Sequence, residues 1–586
     1  MFASLFRLKP YIARYRLRML AGITAFGVAR VFEGLIPLFV AMGIDRVSAN
    51  DNNLLFPVFG IIAAVVARYI FVTFARFSVR RTGQYVAFDL RESLFASLQK
   101  QGSKFFSEHT IGDMMTRAVA DISLVQRLIS MGTILLIILV YASIVGFGFM
   151  WYISPALTLL LLPPMPLVFI YAQWSAKQMG VASKDVQDRM SDLGSQVQEN
   201  LSGIRTIQAM VQEEREIARF SNTNQEYANA FYRQSQIGSH MASWMPTIAA
   251  ICSITILGYG GLLVMQGELT VGQLVAFFMY VNMVVQPFRV AGFIVNLFQR
   301  AAVACDRLFE VLHLEPEILD NPRLYAPKDI SGDIQIKNLN FSYNSTSNPT
   351  LLGIDLKIRA GESLSIMGRV GSGKTTLLKQ LVRLLDTPRG SIFIDQCDIC
   401  DYPLSQVRSQ IVLVPQDTFL FGEPLSNNLT YDDPGRPINQ IWEAAANADF
   451  EQAIKGFPDE METIVGERGV TLSGGQKQRA TLARGLIRRS PILILDDCFS
   501  SVDTQTEERI LKELHELREG QTTILVSHRV STAKHSDRII VLDSGKILEE
   551  GTHEELVALD GLYCEFERIQ REGANESDYL PTGSLT

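Results

Sequence analysis

One stretch of nine residues restricts the fold of this chain more than any other. Residues 368–376 read Gly-Arg-Val-Gly-Ser-Gly-Lys-Thr-Thr, with an apolar run, 364–367, before them and a helix-like segment, 377–385, after them. Strand, glycine loop and helix in this order make a phosphate cradle. The glycines let the loop turn its backbone N–H groups inward, and the helix N-terminus adds the positive end of its dipole. Gly368, Arg369, Val370, Gly371, Ser372, Gly373, Lys374, Thr375 and Thr376 are therefore expected to hold a nucleoside triphosphate. Lys374 would reach the β and γ phosphates, and the Thr375 hydroxyl would ligate Mg²⁺. The competing reading, a glycine turn beside a surface lysine, does not explain the complete pattern in its strand–helix setting.

The rest of the chain decides what is done with the nucleotide. At 586 residues there is room for more than one domain, and 47% hydrophobic residues is more than a wholly soluble chain of this size usually carries. That prompts a search for membrane spans. The net charge of −7 offers no basic field for nucleic acid. The cysteines, Cys252, Cys305, Cys397, Cys400, Cys498 and Cys564, are scattered and do not form a disulfide framework. Cys397 and Cys400 make a lone C-x-x-C that no second pair or nearby His completes as a zinc site.

A helix needs about 20 apolar residues to cross the bilayer core. Six segments approach this: 18–44, 54–77, 128–151, 156–175, 244–266 and 270–297. The basic-then-apolar N-terminus reads as the first of these spans and not as a removed signal. The gaps after spans one, three and five are short. Those after spans two and four are long and rich in Arg and Lys, which places both termini and both long arms in the cytoplasm. The arms read as helices continuing the spans into water. Asp113, Arg117 and Asp121 recur at i, i+4, i+8, a charged helical face beside apolar Met114, Ala118 and Ile122, and periodicity alone leaves open that this face is simply solvated. Phe105-Phe106 followed by 109–113 suggests a break and then a short docking helix.

Several ionisable residues fall inside predicted spans, among them Arg30 and Glu33 at i, i+3, Arg68, and Arg289. A charge in lipid costs about 2.5–3.5 kcal/mol on insertion scales, so these should face a bundle interior or an aqueous cavity. Two readings stand: a polar patch in a substrate pathway, or an ion pair of Arg30 or Arg68 with Glu33 that only fixes packing.

Residues 1–314 form the expected membrane domain, and the proline- and charge-rich segment 315–330 a linker. Residues 331–570, with short apolar runs alternating with helix-like stretches, form an α/β nucleotide-binding domain. A polar tail covers 571–586. The apolar strand 492–495 ends in Asp496, a position that delivers a carboxylate to Mg²⁺. Asp497 follows directly and could polarise an attacking water.

At Leu472-Ser473-Gly474-Gly475-Gln476 the chain resembles the ABC transporter ATPases, whose signature pentapeptide this is. Other positions match the family in order. Tyr343 resembles the aromatic that stacks on adenine, and Gln416 the residue that senses Mg²⁺ and the membrane domain. Asp503 resembles the D-loop aspartate and His528 the switch histidine at the γ-phosphate. Gly466-Glu467-Arg468-Gly469 resembles the loop that meets the coupling helices in exporters. The resemblance covers nearly the whole chain. It implies a multi-domain fold: an all-α six-helix transmembrane domain with long cytoplasmic extensions, then an α/β ATPase domain. It also implies ATP and Mg²⁺ as cofactors. Residues 105–122 resemble the first coupling helix, and 213–220 lie near the second. In this family two halves pair, and each ATP lies between the phosphate loop of one half and the signature of the other, so Leu472–Gln476 would serve the partner's ATP.

One departure matters. The family usually has Glu where this chain has Asp497, one methylene shorter and about 1.5 Å less in reach, against the 2.6–3.2 Å a general base requires. The resemblance to heterodimeric bacterial multidrug exporters then implies slow hydrolysis at this chain's own site and a second ABC half-transporter carrying Glu. Amphipathic or hydrophobic small molecules and membrane lipid would be its partners, and the bacterial inner membrane its location. Two alternatives remain open: a homodimeric lipid flippase, and an ATP-binding regulatory half with little transport of its own.

Overall fold

The computed structural model describes the chain except for residues 1, 52, 162, 289–290, 321–328, 344–348, 467–468, 470 and 572–586. The chain divides into two compact units: residues 1–100 with 109–314, and residues 101–108 with 315–586.

The first unit is helical. Helices Arg16–Ser48, of 33 residues, and Leu55–Leu98, of 44, are apolar enough to span a membrane, as is the continuous helical stretch Ile111–Ile153. At 1.5 Å per residue, 44 residues extend about 66 Å, about twice the hydrocarbon core, so much of this helix lies outside it. The fourth predicted span is interrupted: one helix ends at Leu161 and the next runs Pro164–Ser202, as expected where consecutive prolines remove N–H donors. The fifth and sixth spans fall on Glu213–Thr255 continuing into Gly261–Met265, and on Val271–Phe288.

The Asp113–Arg117–Asp121 face is not solvated, because Arg117 and Asp121 are buried. Arg117 donates to Asp113 (3.1 Å), to Glu310 (3.1 Å) and to the Arg307 carbonyl (2.8 Å), and Arg307 donates to Asp121 (3.0 Å). The arm is thereby pinned to helix Ala291–Leu312, a partner about 190 residues away that periodicity cannot reveal. The short helix of the second arm is Ile204–Ala209, upstream of 213–220. Gly203 ends the preceding helix, Val211 turns the chain at φ 54°, and Glu213, Glu214 and Glu216 open the next helix at its positive end.

Among the described residues the second unit holds ten strands: β1 Ile334–Phe341, β2 Leu351–Ile358, β3 Ser363–Met367, β4 Ile392–Ile394, β5 Cys397–Asp398, β6 Ile411–Val414, β7 Ile492–Asp496, β8 Thr522–Val526, β9 Arg538–Asp543 and β10 Lys546–Gly551. The main sheet has the order β10-β9-β3-β8-β7-β6, parallel throughout except for β10 on its edge. β7 and β8 are buried at every residue, as strands covered on both faces require. A smaller antiparallel sheet, β2-β1-β4-β5, shares an apolar core with it through Ile334, Ile366, Leu377 and Ile494. A second core, built on Phe450, Ile441, Ala480 and Leu493, supports helix Gly474–Leu486. Residues 101–108 belong to this unit, where the Ser103 hydroxyl meets the Leu384 carbonyl at 3.5 Å. The last helix, Leu562–Arg571, includes Arg571, which the sequence assigned to the tail; the rest of that tail lies outside the described residues.

Candidate functional site

Parallel strands of an open sheet deliver their C-terminal ends to one edge, and ligands bind there. Here β3 ends before Gly368, β7 ends at Asp496, β8 ends two residues before His528 and β6 two residues before Gln416. Side chains from all four junctions line one cleft of about 290 Å³, with Val370, Gly371, Ser372, Gly373, Lys374, Thr375, Thr376, Gln416, Asp496, Asp497 and His528 on its walls.

Backbone geometry explains the glycines. Gly373, the residue before helix Lys374–Leu381, has φ 102°, and a Cβ there would lie 2.9 Å from the Thr350 carbonyl. Gly368 has φ 148°, and a Cβ would come within 2.0 Å of the Leu542 carbonyl oxygen. Neither position admits a side chain. The Lys374 ammonium is folded onto the loop, donating to the carbonyls of Gly368 (2.7 Å) and Arg369 (2.9 Å). Tyr343, half exposed on the edge of Phe341, contacts the Thr376 hydroxyl at 3.1 Å.

Across the cleft, the Thr375 hydroxyl donates to Asp496 at 3.3 Å. Burial pushes the Asp496 carboxyl above the ordinary carboxylate range, opposed by that hydrogen bond and by Lys374. A buried carboxylate, a hydroxyl and the Gln416 amide on one cleft wall are an oxygen donor set suited to a hard divalent cation. Thr375, Gln416 and Asp496 thus fit Mg²⁺. Asp497 has a left-handed backbone, φ 45°, its N–H donates to the Val526 carbonyl (3.0 Å), and its carboxylate accepts from Gln416 at 3.2 Å.

Leu472 is buried, and Ser473 caps helix Gly474–Leu486. Its hydroxyl accepts from the Gln476 N–H (3.3 Å), and the Gln476 side chain accepts from the Ser473 N–H (2.9 Å). A Cβ on Gly475 would lie 2.9 Å from the Ser501 carbonyl oxygen, so the signature helix starts directly against the 500–503 turn. Asp503 caps the following helix by accepting from the Thr506 N–H at 3.0 Å, a bond that holds its carboxyl below the usual range.

Two residues the sequence reading passed over tie these loops together. Buried Gln478 donates to Ser500 (2.7 Å) and accepts from the Ser501 N–H (2.8 Å). Arg529, beside His528, donates to the Val502 carbonyl (3.2 Å), the Ser500 carbonyl (3.4 Å) and the buried Glu507, which Thr532 also contacts. Their position next to Gln476 and His528 was the only signal available. Cys397 and Cys400 bond to backbone carbonyls, and burial raises the Cys400 thiol to about 11.

In the first unit, Arg30, Glu33 and Arg68 line a cavity of about 490 Å³ with Ile36, Pro37, Ile138, Asn282, Met283 and Gln286. Glu33 pairs with Arg30 and, at 3.5 Å, with Arg68. Arg289, Glu467 and Arg468 lie outside the described residues.

The family profile described as the ABC transporter transmembrane region matches residues 17–288, and the one described as ABC transporter matches 351–500. The chain is also similar to the probable multidrug resistance ABC transporter ATP-binding/permease protein YheI of Bacillus subtilis (strain 168). They are 33% identical over 98% of this chain and 99% of the relative. This chain belongs to the ABC transporter family. It is an ABC exporter that carries its transmembrane and ATPase regions in one chain, and it couples ATP hydrolysis to transport. Similarity to the ATP-dependent lipid A-core flippase of Photobacterium profundum is 31% over 96% of this chain and 97% of that one. A solved bacterial Atm1-family ABC exporter with ATP bound superposes with a TM-score of 0.76, at 25% identity, covering 97% of this chain and all of that one.

Proposed function

We propose that this chain is one half of an ATP-driven efflux transporter for amphipathic drugs or lipids, working with a second half that carries the longer acid. The observation that carries the reading is Asp497. It stands in the cleft beside Gln416, where a general base would act, with a side chain one methylene short. Hydrolysis on this chain's own phosphate loop is accordingly slow, while its signature residues, Leu472, Ser473, Gly474, Gly475 and Gln476, complete the partner's site.

The 368–376 loop binds the phosphates through its N–H groups, Lys374 neutralises them, and Tyr343 stacks on the base. Thr375, Asp496 and Gln416 would hold Mg²⁺, which would supply charge neutralisation of the phosphate oxygens. His528 contacts the γ-phosphate, and Asp503 shapes the turn facing the partner. ATP moves the membrane helices only by binding the closed pair of ATPase domains better than the open one. The protein lies in the bacterial inner membrane with both termini cytoplasmic.

The test is transport itself. Inside-out vesicles carrying the co-purified assembly should accumulate a fluorescent amphiphile with Mg-ATP and not without it. No ATP-dependent accumulation of any amphiphile, in vesicles that bind ATP, would sink the export reading. A second reading, a homodimeric lipid flippase, draws on the relatives named lipid A-core flippases. It requires brisk turnover by the chain alone.

A further inference from the structure

The cavity around Glu33 holds an uneven set of charges among the described residues. Arg30 and Glu33 stand on the first spanning helix one turn apart, and Arg68 reaches the same carboxylate from the second. Counted along the helices, Arg30 is about 18 Å from Arg18, and Arg68 about 20 Å from Leu55. Both therefore lie deep within a hydrocarbon core about 30 Å thick. A pair that served only to fix packing would be neutral: one guanidinium, one carboxylate. Here two guanidiniums share one carboxylate, which leaves a net positive charge where charge is most costly.

The sharing is also incomplete. The Nε of Arg30 and the Nε of Arg68 are both buried without a hydrogen-bond partner among the described residues. Arg68 keeps nearly half of its side-chain surface exposed. From helix Val271–Phe288 the Asn282 and Gln286 amides enter the same cavity, and the remaining lining is apolar. At about 490 Å³ the cavity is of the size that takes small molecules. One cationic end with spare donors, two amides and apolar walls are the complement of an anionic headgroup carrying an apolar body.

We propose that this cavity binds amphiphiles with an anionic headgroup, carboxylate or phosphate, through Arg30 and Arg68, and discriminates against cationic ones. Glu33 is the internal counter-ion that holds the two guanidiniums until the ligand's anion takes its share. The inference rests on the export reading for its biological setting, but its test does not use transport.

The full chain in phosphatidylcholine nanodiscs is titrated with a dansyl-labelled long-chain carboxylate and with the trimethylammonium probe of the same chain length. The carboxylate is expected to bind at least about tenfold tighter, the scale of one charge-assisted contact. Arg68→Gln should remove most of that preference, and Arg68→Lys, which keeps the charge, should retain it. Mg-ATP binding by each variant checks that the chain is folded. Discs containing one-fifth phosphatidylglycerol identify the source of the anion. Competition points to a membrane-lipid headgroup, and its absence to a soluble amphiphile. Equal binding of the two probes by the wild type, or an unchanged preference in a folded Arg68→Gln protein, overturns the proposal. Failure of the vesicle assay above would leave this result standing, and the reverse holds as well.

Discussion

The contact between the loop that carries His528 and Arg529 and the 500–503 turn makes a quantitative prediction. Glu507 is 2% exposed, and its carboxylate accepts from Arg529 and Thr532. Breaking a buried ion pair by removing one partner costs about 3–5 kcal/mol. Arg529 keeps 37% of its side-chain surface exposed, and Thr532 remains on the carboxylate, so about 2 kcal/mol is a fairer figure for Arg529→Ala. For a unit of this size, about 2–4 °C per kcal/mol gives a fall of about 4–8 °C in Tm. The assay is thermal unfolding of the purified full chain, with ATPase rate as the second readout. Removing the stranded charge as well, in Arg529→Ala with Glu507→Gln, should recover more than half of the loss. The ATPase defect should persist, because the carbonyls of Ser500 and Val502 have still lost their donor. An Arg529→Ala protein within 1 °C of wild type would refute the reasoning, as would losses that simply add in the double variant.

Asp496 gives a pH-dependent test. Its folded carboxyl keeps its proton above the ordinary carboxylate value, so the native state holds more protons than the unfolded one between the two values. Stability therefore falls as pH rises through that window. Asp496→Asn should raise the Tm of the nucleotide-free protein at pH 7 while abolishing hydrolysis at this site; a lower Tm contradicts the desolvation argument. Lys374→Ala should weaken ATP binding about tenfold or more, the scale of a charge-assisted hydrogen bond, and unchanged affinity measured by titration would remove Lys374 from the phosphate site. Ser473→Ala loses a helix cap costing about 1 kcal/mol and should also lower ATPase in the assembly; a normal rate would count against a signature that serves the opposite site.

What could be read from the sequence, and what could not, follows from the range of the interactions involved. The phosphate loop is local chemistry: three glycines, a lysine and two threonines within nine residues, flanked by strand and helix. The strands delivering Asp496, Gln416 and His528 were legible because each is a short apolar run that ends at the residue concerned or two residues before it. Whether the Arg117 and Asp121 face is solvated or buried could not be read, because their partners, Arg307 and Glu310, lie far along the chain. Gln478 and Arg529 were passed over for the same reason, their contacts being 22 to 29 residues distant. The short helix Ile204–Ala209 in the second arm shows the same limit. Gly203 and the turn at Val211 bracket Ile204–Ala209, and the acidic start of the next helix resembles a docking segment until the break before it is seen. In the membrane, the pairing of Glu33 with Arg30 was visible at i, i+3. The sharing of that carboxylate with Arg68 needed the packing of two helices.

The reach of one side chain, Asp497, decides whether this chain hydrolyses ATP on its own phosphate loop. ATP hydrolysis by the purified chain alone in lipid, wild type against Asp497→Glu, measures it. A nearly silent wild type and a Glu variant that turns over would mean that the missing methylene limits the reaction and that a partner supplies the longer acid. Brisk turnover by the wild type, unchanged by Asp497→Glu, would contradict the account and favour two copies of this chain working together.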